Sequence, residues 1–146
     1  MGEEIRLSVA EGDGEIRAAF SVLQQLRTHL ESAEELVERV RRQESQGYRL
    51  LCAWRGSEVV GCAGFRRVES LFAGRYLYVD DLVVCASARS LGVGRALIDF
   101  LRDLAQSEGR LELHLDSGVQ RKDAHRFYHR EGLTIASYHF KQKFEG

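Results

Sequence analysis

Proline is absent from this chain of 146 residues, where ordinary usage of about 5% would place roughly seven. Helix ends must therefore be written with glycine, and 14 glycines are present. Cysteine is scarce. Cys52, Cys62 and Cys85 each sit in an apolar, strand-like run and show no Cys-x-x-Cys spacing, which predicts reduced, buried thiols in place of a disulfide framework or a zinc site. Charge of one sign is lacking too: 21 Lys and Arg stand against 22 Asp and Glu, a formal net charge of -1. That balance gives no hold on a phosphate backbone or an anionic bilayer, so neither nucleic acid nor membrane is an expected partner. No apolar run approaches the roughly 20 residues that a spanning helix needs, and the opening Met1 to Arg6 is charged where a secretory signal is apolar. The expected location is the cytoplasm.

What is present fits one folded domain over residues 1–146, with 44% hydrophobic and 29% charged residues. Ile5 to Val9 alternates like a strand, and Glu11 to Gly14 reads as a turn into a helix. Ile16, Ala19, Phe20, Leu23, Leu26 and Leu30 recur at three and four, one apolar helix face. Ser32-Ala33-Glu34-Glu35 is a capping box that opens a second helix, and Gly47 stops it. Tyr48 to Trp54 and Val59 to Phe65 flank a short glycine-containing loop and predict a hairpin. A strand from Arg75 to Cys85 follows, then a helix from Leu91 to Gln106 closed by Gly109, a strand from Leu111 to Leu115, and a helix from Asp123 to Glu131 closed by Gly132. Leu133 to Phe144 returns to strand character, with a switch of apolar parity between Ile135 and Tyr138 that predicts a bulge or break. This order is a mixed α/β (α+β) domain.

Chemistry concentrates between Asp80 and Leu97, where a buried strand runs into a helix through Arg89-Ser90-Leu91-Gly92-Val93-Gly94-Arg95. Closely spaced glycines let backbone approach a ligand, and the unpaired amides of a helix start bind anions. Arg89 and Arg95 flank the turn and add charge-assisted contacts suited to a pyrophosphate. No Gly-Lys-Ser or Gly-Lys-Thr follows, and the third glycine of a dinucleotide fingerprint is missing.

The segment Arg89 to Gly94 resembles the acetyl-CoA signature of the GNAT superfamily of N-acetyltransferases. Tyr78-Val79-Asp80-Asp81-Leu82-Val83-Val84 looks like that superfamily's fourth strand, and Ala124 to Leu133, with Phe127-Tyr128 and Gly132, looks like its closing helix. The resemblance implies a mixed central sheet of six to seven strands, splayed between the fourth and fifth, flanked by about four helices. It also implies acetyl-CoA as co-substrate and no metal. Leu82, Val83 and Val84 would pair with the pantetheine arm. Amides of Arg89, Ser90, Leu91, Gly92, Val93, Gly94 and Arg95 would hold the pyrophosphate. Arg121 stands where relatives often carry an Asn that contacts pantetheine, and an arginine there suits CoA phosphate oxygens instead. The acceptor amine would attack the thioester directly in a ternary complex, with an amide near Val83 stabilising the oxyanion.

Such an attack needs a deprotonated amine, and the resemblance gives that task to Asp80, acting through water because Asp is shorter than the more usual Glu. Tyr128 aligns with the acid that protonates the departing thiolate. Asp81 and His114 are candidate acceptor-binding groups, and the aspartates would present negative charge to a small cationic amine. Ordinary structural roles stand beside these: pairing of the aspartates with Arg66 or Arg67, and a solvated His114. His125 and His129, four apart on a helix, lack the glutamate and third ligand of a zinc site. Alternatives to a small-amine acetyltransferase are a protein or peptide N-acetyltransferase, a non-catalytic acyl-CoA-binding module and a nucleotide-binding module. The terminal strand around Ser137 to Phe140, as a sheet edge, predicts a homodimer.

Overall fold

The computed structural model describes residues 4–145. The first three residues of the charged opening Met1 to Arg6 thus lie outside the described residues. The chain divides into two compact units, residues 1–115 and 116–146.

The first unit holds one open five-stranded sheet in the order β1 (Ile5–Val9), β2 (Arg49–Arg55), β3 (Glu58–Ser70), β4 (Gly74–Val84) and β5 (Glu112–Leu115). The first three pairings are antiparallel and β4 with β5 is parallel. The expected first helix is two, α1 (Asp13–Ala18) and α2 (Phe20–Leu26), separated at Ala19. The capping box opens α3 (Ala33–Glu44): Ser32 Oγ accepts from the Glu35 amide at 3.0 Å. A 3₁₀ turn (Ala86–Leu91) leads into α4 (Val93–Ser107).

Both faces of the sheet are covered, which is why β2 and β3 read as near-continuous apolar runs. On one face Leu50, Cys52 and Cys62 pack with Ile16, Val22, Leu23, Leu36 and Val40 of α1 to α3. On the other, Leu51, Ala63, Phe65, Leu77 and Val79 pack under Val93, Leu97 and Leu101 of α4. Burying each such aliphatic side chain contributes about 1.5–3 kcal/mol. Gly61 sets the height of α4, because a Cβ there would lie 2.6 Å from Val93 Cγ1.

In the second unit, α5 (Lys122–Arg130) ends before Gly132, whose φ is 92°. The sequence predicts a strand from Leu133 to Phe144, and the structure corrects this: the segment has no regular structure, with Ile135, Tyr138, Phe140 and Phe144 exposed. Alternation alone does not make a strand without a paired ladder, and here the alternation itself breaks between Ile135 and Tyr138. The sheet of the described residues has five strands where six to seven are expected, and the edge on which the homodimer expectation rested is not formed. Cys52 and Cys62 are free and buried as expected, whereas Cys85 is half-exposed.

Candidate active site

A slip in the β3–β4 ladder creates the site. Gly64 pairs with Asp81 and Phe65 with Val79, so Asp80 is an extra residue in β4. In a regular strand neighbouring side chains point to opposite faces. The bulge cancels one step, and Asp80 and Asp81 both line one cavity of about 340 Å³, with Tyr78 beside them. Leu23, Arg27, His29 and Leu30 close it from α2 and the following loop, and Leu36, Arg39, Val40 and Gln43 close it from α3.

Each aspartate is tied. Arg66 Nε donates to Asp80 Oδ2 at 2.8 Å, and the same guanidinium reaches Gln43 Oε1 at 2.8 Å and lies over the Tyr48 ring. The pairing weighed for Asp80 as an ordinary structural role thus exists, with Arg66. Arg67 instead binds Glu108. Asp81 accepts from Arg27 Nε at 2.8 Å and from the Tyr48 hydroxyl at 2.8 Å, and Arg27 also donates to the Asp80 main-chain carbonyl at 2.8 Å. Burial and the Asp81 charge hold the Tyr48 phenol well above its usual pKa, so it stays a donor.

One atom is left over. Asp80 Oδ1 is buried and has no hydrogen-bond partner among the described residues. Burial pushes the Asp80 carboxyl above the usual aspartate range, although Arg66 pulls it back down. An unsatisfied buried acceptor costs about 1–3 kcal/mol unless something donates to it. The arrangement is a cavity-lining residue whose carboxylate is held through one oxygen by Arg66, with the other oxygen buried and unpaired.

The other expected groups fall as follows. The β4–β5 pairing ends at Val79 and Leu115, while β4 runs on to Val84. Leu82, Val83 and Val84 pair with β3 on one side, at Ala63, Cys62 and Gly61. Beyond Val79 no strand among the described residues takes their other edge, which suits an extended, amide-bearing ligand arm. Gly92 adopts the left-handed conformation, φ 73°, and caps α4. No side chain caps this helix and no acid lies in its first turn, while Arg89 and Arg95 are exposed beside it. Those features fit an anionic phosphate group. Gln25 braces the approach, accepting from the Ala86 amide at 3.2 Å.

His114 is not among the cavity-lining residues. It stacks on Tyr76 with ring centroids 4.1 Å apart and its Nε2 lies 2.6 Å from Glu112 Oε1. In the second unit Tyr128 is half-buried on α5, edge-on to Phe127, with Arg121 at the helix start. Burial raises the Tyr128 phenol above its usual pKa and the Arg121 guanidinium opposes this, so the hydroxyl is protonated at neutral pH. Arg27, Tyr48 and Gln43 carry no local signal in the sequence, because each meets β4 or β3 across long stretches of chain.

Comparison with known proteins gives the family and the fold. The model of the Acetyltransferase (GNAT) family matches residues 16–133. The uncharacterized N-acetyltransferase YhdJ of Bacillus subtilis (strain 168) is 34% identical over 125 residues, 85% of this chain and 88% of that protein. An aminoalkylphosphonate N-acetyltransferase of Salmonella typhimurium is 32% identical over 94 residues, 64% of this chain and 60% of the relative. Among solved structures, an acetyltransferase of Trypanosoma brucei superposes with a TM-score of 0.80 at 22% identity, covering 97% of this chain and 100% of that one, a likeness of fold.

Proposed function

Because the chain belongs to the GNAT acetyltransferase family, we propose that it acetylates a small primary amine seated in the cavity over the β4 bulge, with acetyl-CoA as co-substrate. The family match runs from residue 16 to residue 133, which supports the single acetyltransferase domain expected from the sequence. A small-amine acceptor is supported by the Salmonella relative, whose name specifies an aminoalkylphosphonate.

The observation that carries the reading is Asp80, a cavity-lining carboxylate whose Oδ1 has no hydrogen-bond partner among the described residues. An alkyl ammonium has a pKa near 10.4 and is not nucleophilic until it loses a proton. Asp80 Oδ1 first accepts a hydrogen bond from the ammonium and then receives its proton, directly or through one water. A carboxylate raised by burial is a better base than an exposed one. Arg66 holds Oδ2 throughout, so the carboxyl does not turn. Asp81, itself fixed by Arg27 and Tyr48, anchors the bulge and gives the cavity floor its polar rim.

Acetyl-CoA supplies the activated acyl thioester, and the amine attacks it within a ternary complex without an acyl-enzyme. Main-chain groups of Leu82, Val83 and Val84 bind the pantetheine arm as an added strand, and the Val83 amide is the donor assigned to charge developing on the carbonyl oxygen. Amides from Arg89 to Arg95, with those two guanidinium groups, hold the pyrophosphate, and Arg121 takes phosphate oxygens. Tyr128, protonated at neutral pH, donates to the departing thiolate.

The test is coenzyme A release over a panel of small primary amines and peptide amines. Turnover is expected with small amines, and Tyr128→Phe is expected to lower kcat by about 10²-fold. Wild-type kcat in that variant removes the acid role, and turnover confined to peptides removes the small-amine assignment.

A further inference from the structure

The open hydrogen-bonding positions of the cavity specify more than an amine. This step rests on the proposed acetyltransfer and concerns the far end of the acceptor. Asp81 accepts from Arg27 and Tyr48, and Arg27 gives Nε to Asp81 and Nη2 to the Asp80 carbonyl. Asp80 Oδ2 is spent on Arg66. On the acidic side, that leaves Asp80 Oδ1, buried and unpartnered among the described residues.

The opposite sign is open as well. Arg39 lines the cavity from α3, and its Nε donates to Glu35 Oε2 at 3.0 Å. Among the described residues its two terminal nitrogens make no hydrogen bond. Glu35 is an unusually firm anchor. Its Oε1 accepts from the Glu31 amide at 2.8 Å and its own amide donates to Ser32 Oγ, so the capping box of α3 holds it. The Glu31 amide, with help from Arg39, keeps its carboxyl below the usual glutamate range. A charged, fixed carboxylate thus grips Arg39 at one edge and leaves the two-pronged end of the guanidinium for another oxyanion. His29, from the loop before α3, lines the same cavity, and its charge acts with that of Arg39 on the Glu35 carboxyl.

The spacing follows from the helix. Gln43 touches Arg66, which holds Asp80, so that turn of α3 lies at the Asp80 end. Arg39 is four residues earlier on the same stripe, a rise of roughly 6 Å. A ligand with one ammonium and one oxyanion on a short linker satisfies both open positions. A diamine sets its second charge against Arg39, and a simple alkylamine leaves the guanidinium unmatched.

We propose that the acceptor is a small primary amine carrying an anionic group, a carboxylate or a phosphoryl oxyanion, which Arg39 binds through its terminal nitrogens with His29 beside it.

The experiment compares kcat/KM for β-alanine, O-phosphoethanolamine, n-propylamine and 1,3-diaminopropane, in wild type and in Arg39→Met and Arg39→Lys, each checked for an unchanged melting transition. At least one anionic acceptor is expected to exceed both non-anionic amines by tenfold or more. Arg39→Met is expected to bring that ratio to about one through KM, and Arg39→Lys to restore part of it. Equal or better turnover of the diamine or of propylamine, or an anionic-acceptor KM unmoved in Arg39→Met, overturns the proposal and leaves acetyltransfer standing. The two anionic arms separate carboxylate from phosphoryl recognition. Titration of propionate and propylphosphonate, which cannot be acetylated, reads the anion site without turnover. Binding that Arg39→Met abolishes, with no amine acetylated, upholds the anion site and overturns the acetyltransfer reading. Absence of both binding and preference overturns the anion site.

Discussion

The Tyr48 hydroxyl donates to Asp81 Oδ2 at 2.8 Å across the face of Gly64, where any Cβ would collide with the tyrosine ring and its oxygen. Gly64 is also where β3 and β4 change register. The glycine, the tyrosine and the bulge form one device that holds two neighbouring aspartates on one face of a strand.

Gly64→Ala is therefore expected to destabilise the fold by about 1–3 kcal/mol through overpacking. Tyr48→Phe is expected to cost about 1–2 kcal/mol by leaving the partly buried Asp81 carboxylate with one donor fewer. Urea unfolding reads both, and a wild-type midpoint in Gly64→Ala contradicts the link between that glycine and the tyrosine.

Arg66 controls the proton affinity of Asp80. Burial raises the carboxyl and the Arg66 hydrogen bond and charge lower it, so Arg66→Met removes a lowering influence. Asp80 must be ionised to take a proton, and activity falls as pH drops through its pKa. The acid limb of kcat/KM is expected above the ordinary aspartate range in wild type and at still higher pH in Arg66→Met. A limb that stays in place, or moves to lower pH, assigns it to another group.

Gly92 separates backbone cost from ligand cost. A Cβ there meets nothing within 4 Å, yet φ is 73°. Gly92→Ala is expected to lower stability by about 1 kcal/mol through that conformation alone. Gly92→Glu adds a negative charge beside the amides assigned to the pyrophosphate and is expected to weaken acetyl-CoA binding tenfold or more. Calorimetric titration of acetyl-CoA into both variants checks this, and equal affinities argue against an anion held there.

Glu108 links β3 to the end of α4. Hydrogen bonds from Arg67 and then Arg110 hold its carboxyl at about 2, against an ordinary 4.5. The folded state binds this proton more weakly than the unfolded chain. The resulting stabilisation is complete above about pH 4.5 and disappears as pH falls toward about 2. Glu108→Gln is expected to flatten the pH dependence of unfolding free energy in that window, and an unchanged slope denies the linkage.

Much of the fold was legible because its signals are local. The Ser32 to Glu35 capping box, the glycine stops at Gly47, Gly109 and Gly132, and the apolar stripe of α4 each need only a few neighbouring residues. Leu133 to Phe144 was misread because strand formation depends on a paired ladder that alternation cannot supply. The site divides in the same way. Asp80 and Asp81 stood out as acids in an apolar strand, but the slip at Gly64 that turns them to one face belongs to a strand pairing. Arg27, Arg39 and Tyr48 reach the cavity only through tertiary folding. His114 alternates with Glu112 on β5, and its stacking on Tyr76 likewise depends on the β4–β5 pairing.

The most direct test measures coenzyme A release from acetyl-CoA with a primary amine in wild type and in Asp80→Asn, which keeps a polar group beside Arg66 but removes the base. Turnover in wild type and a loss of at least about 10²-fold in kcat/KM for the variant, relieved by raising pH to deprotonate the amine in solution, is the predicted result. Equal rates in the two proteins, with the same pH profile, contradict the account.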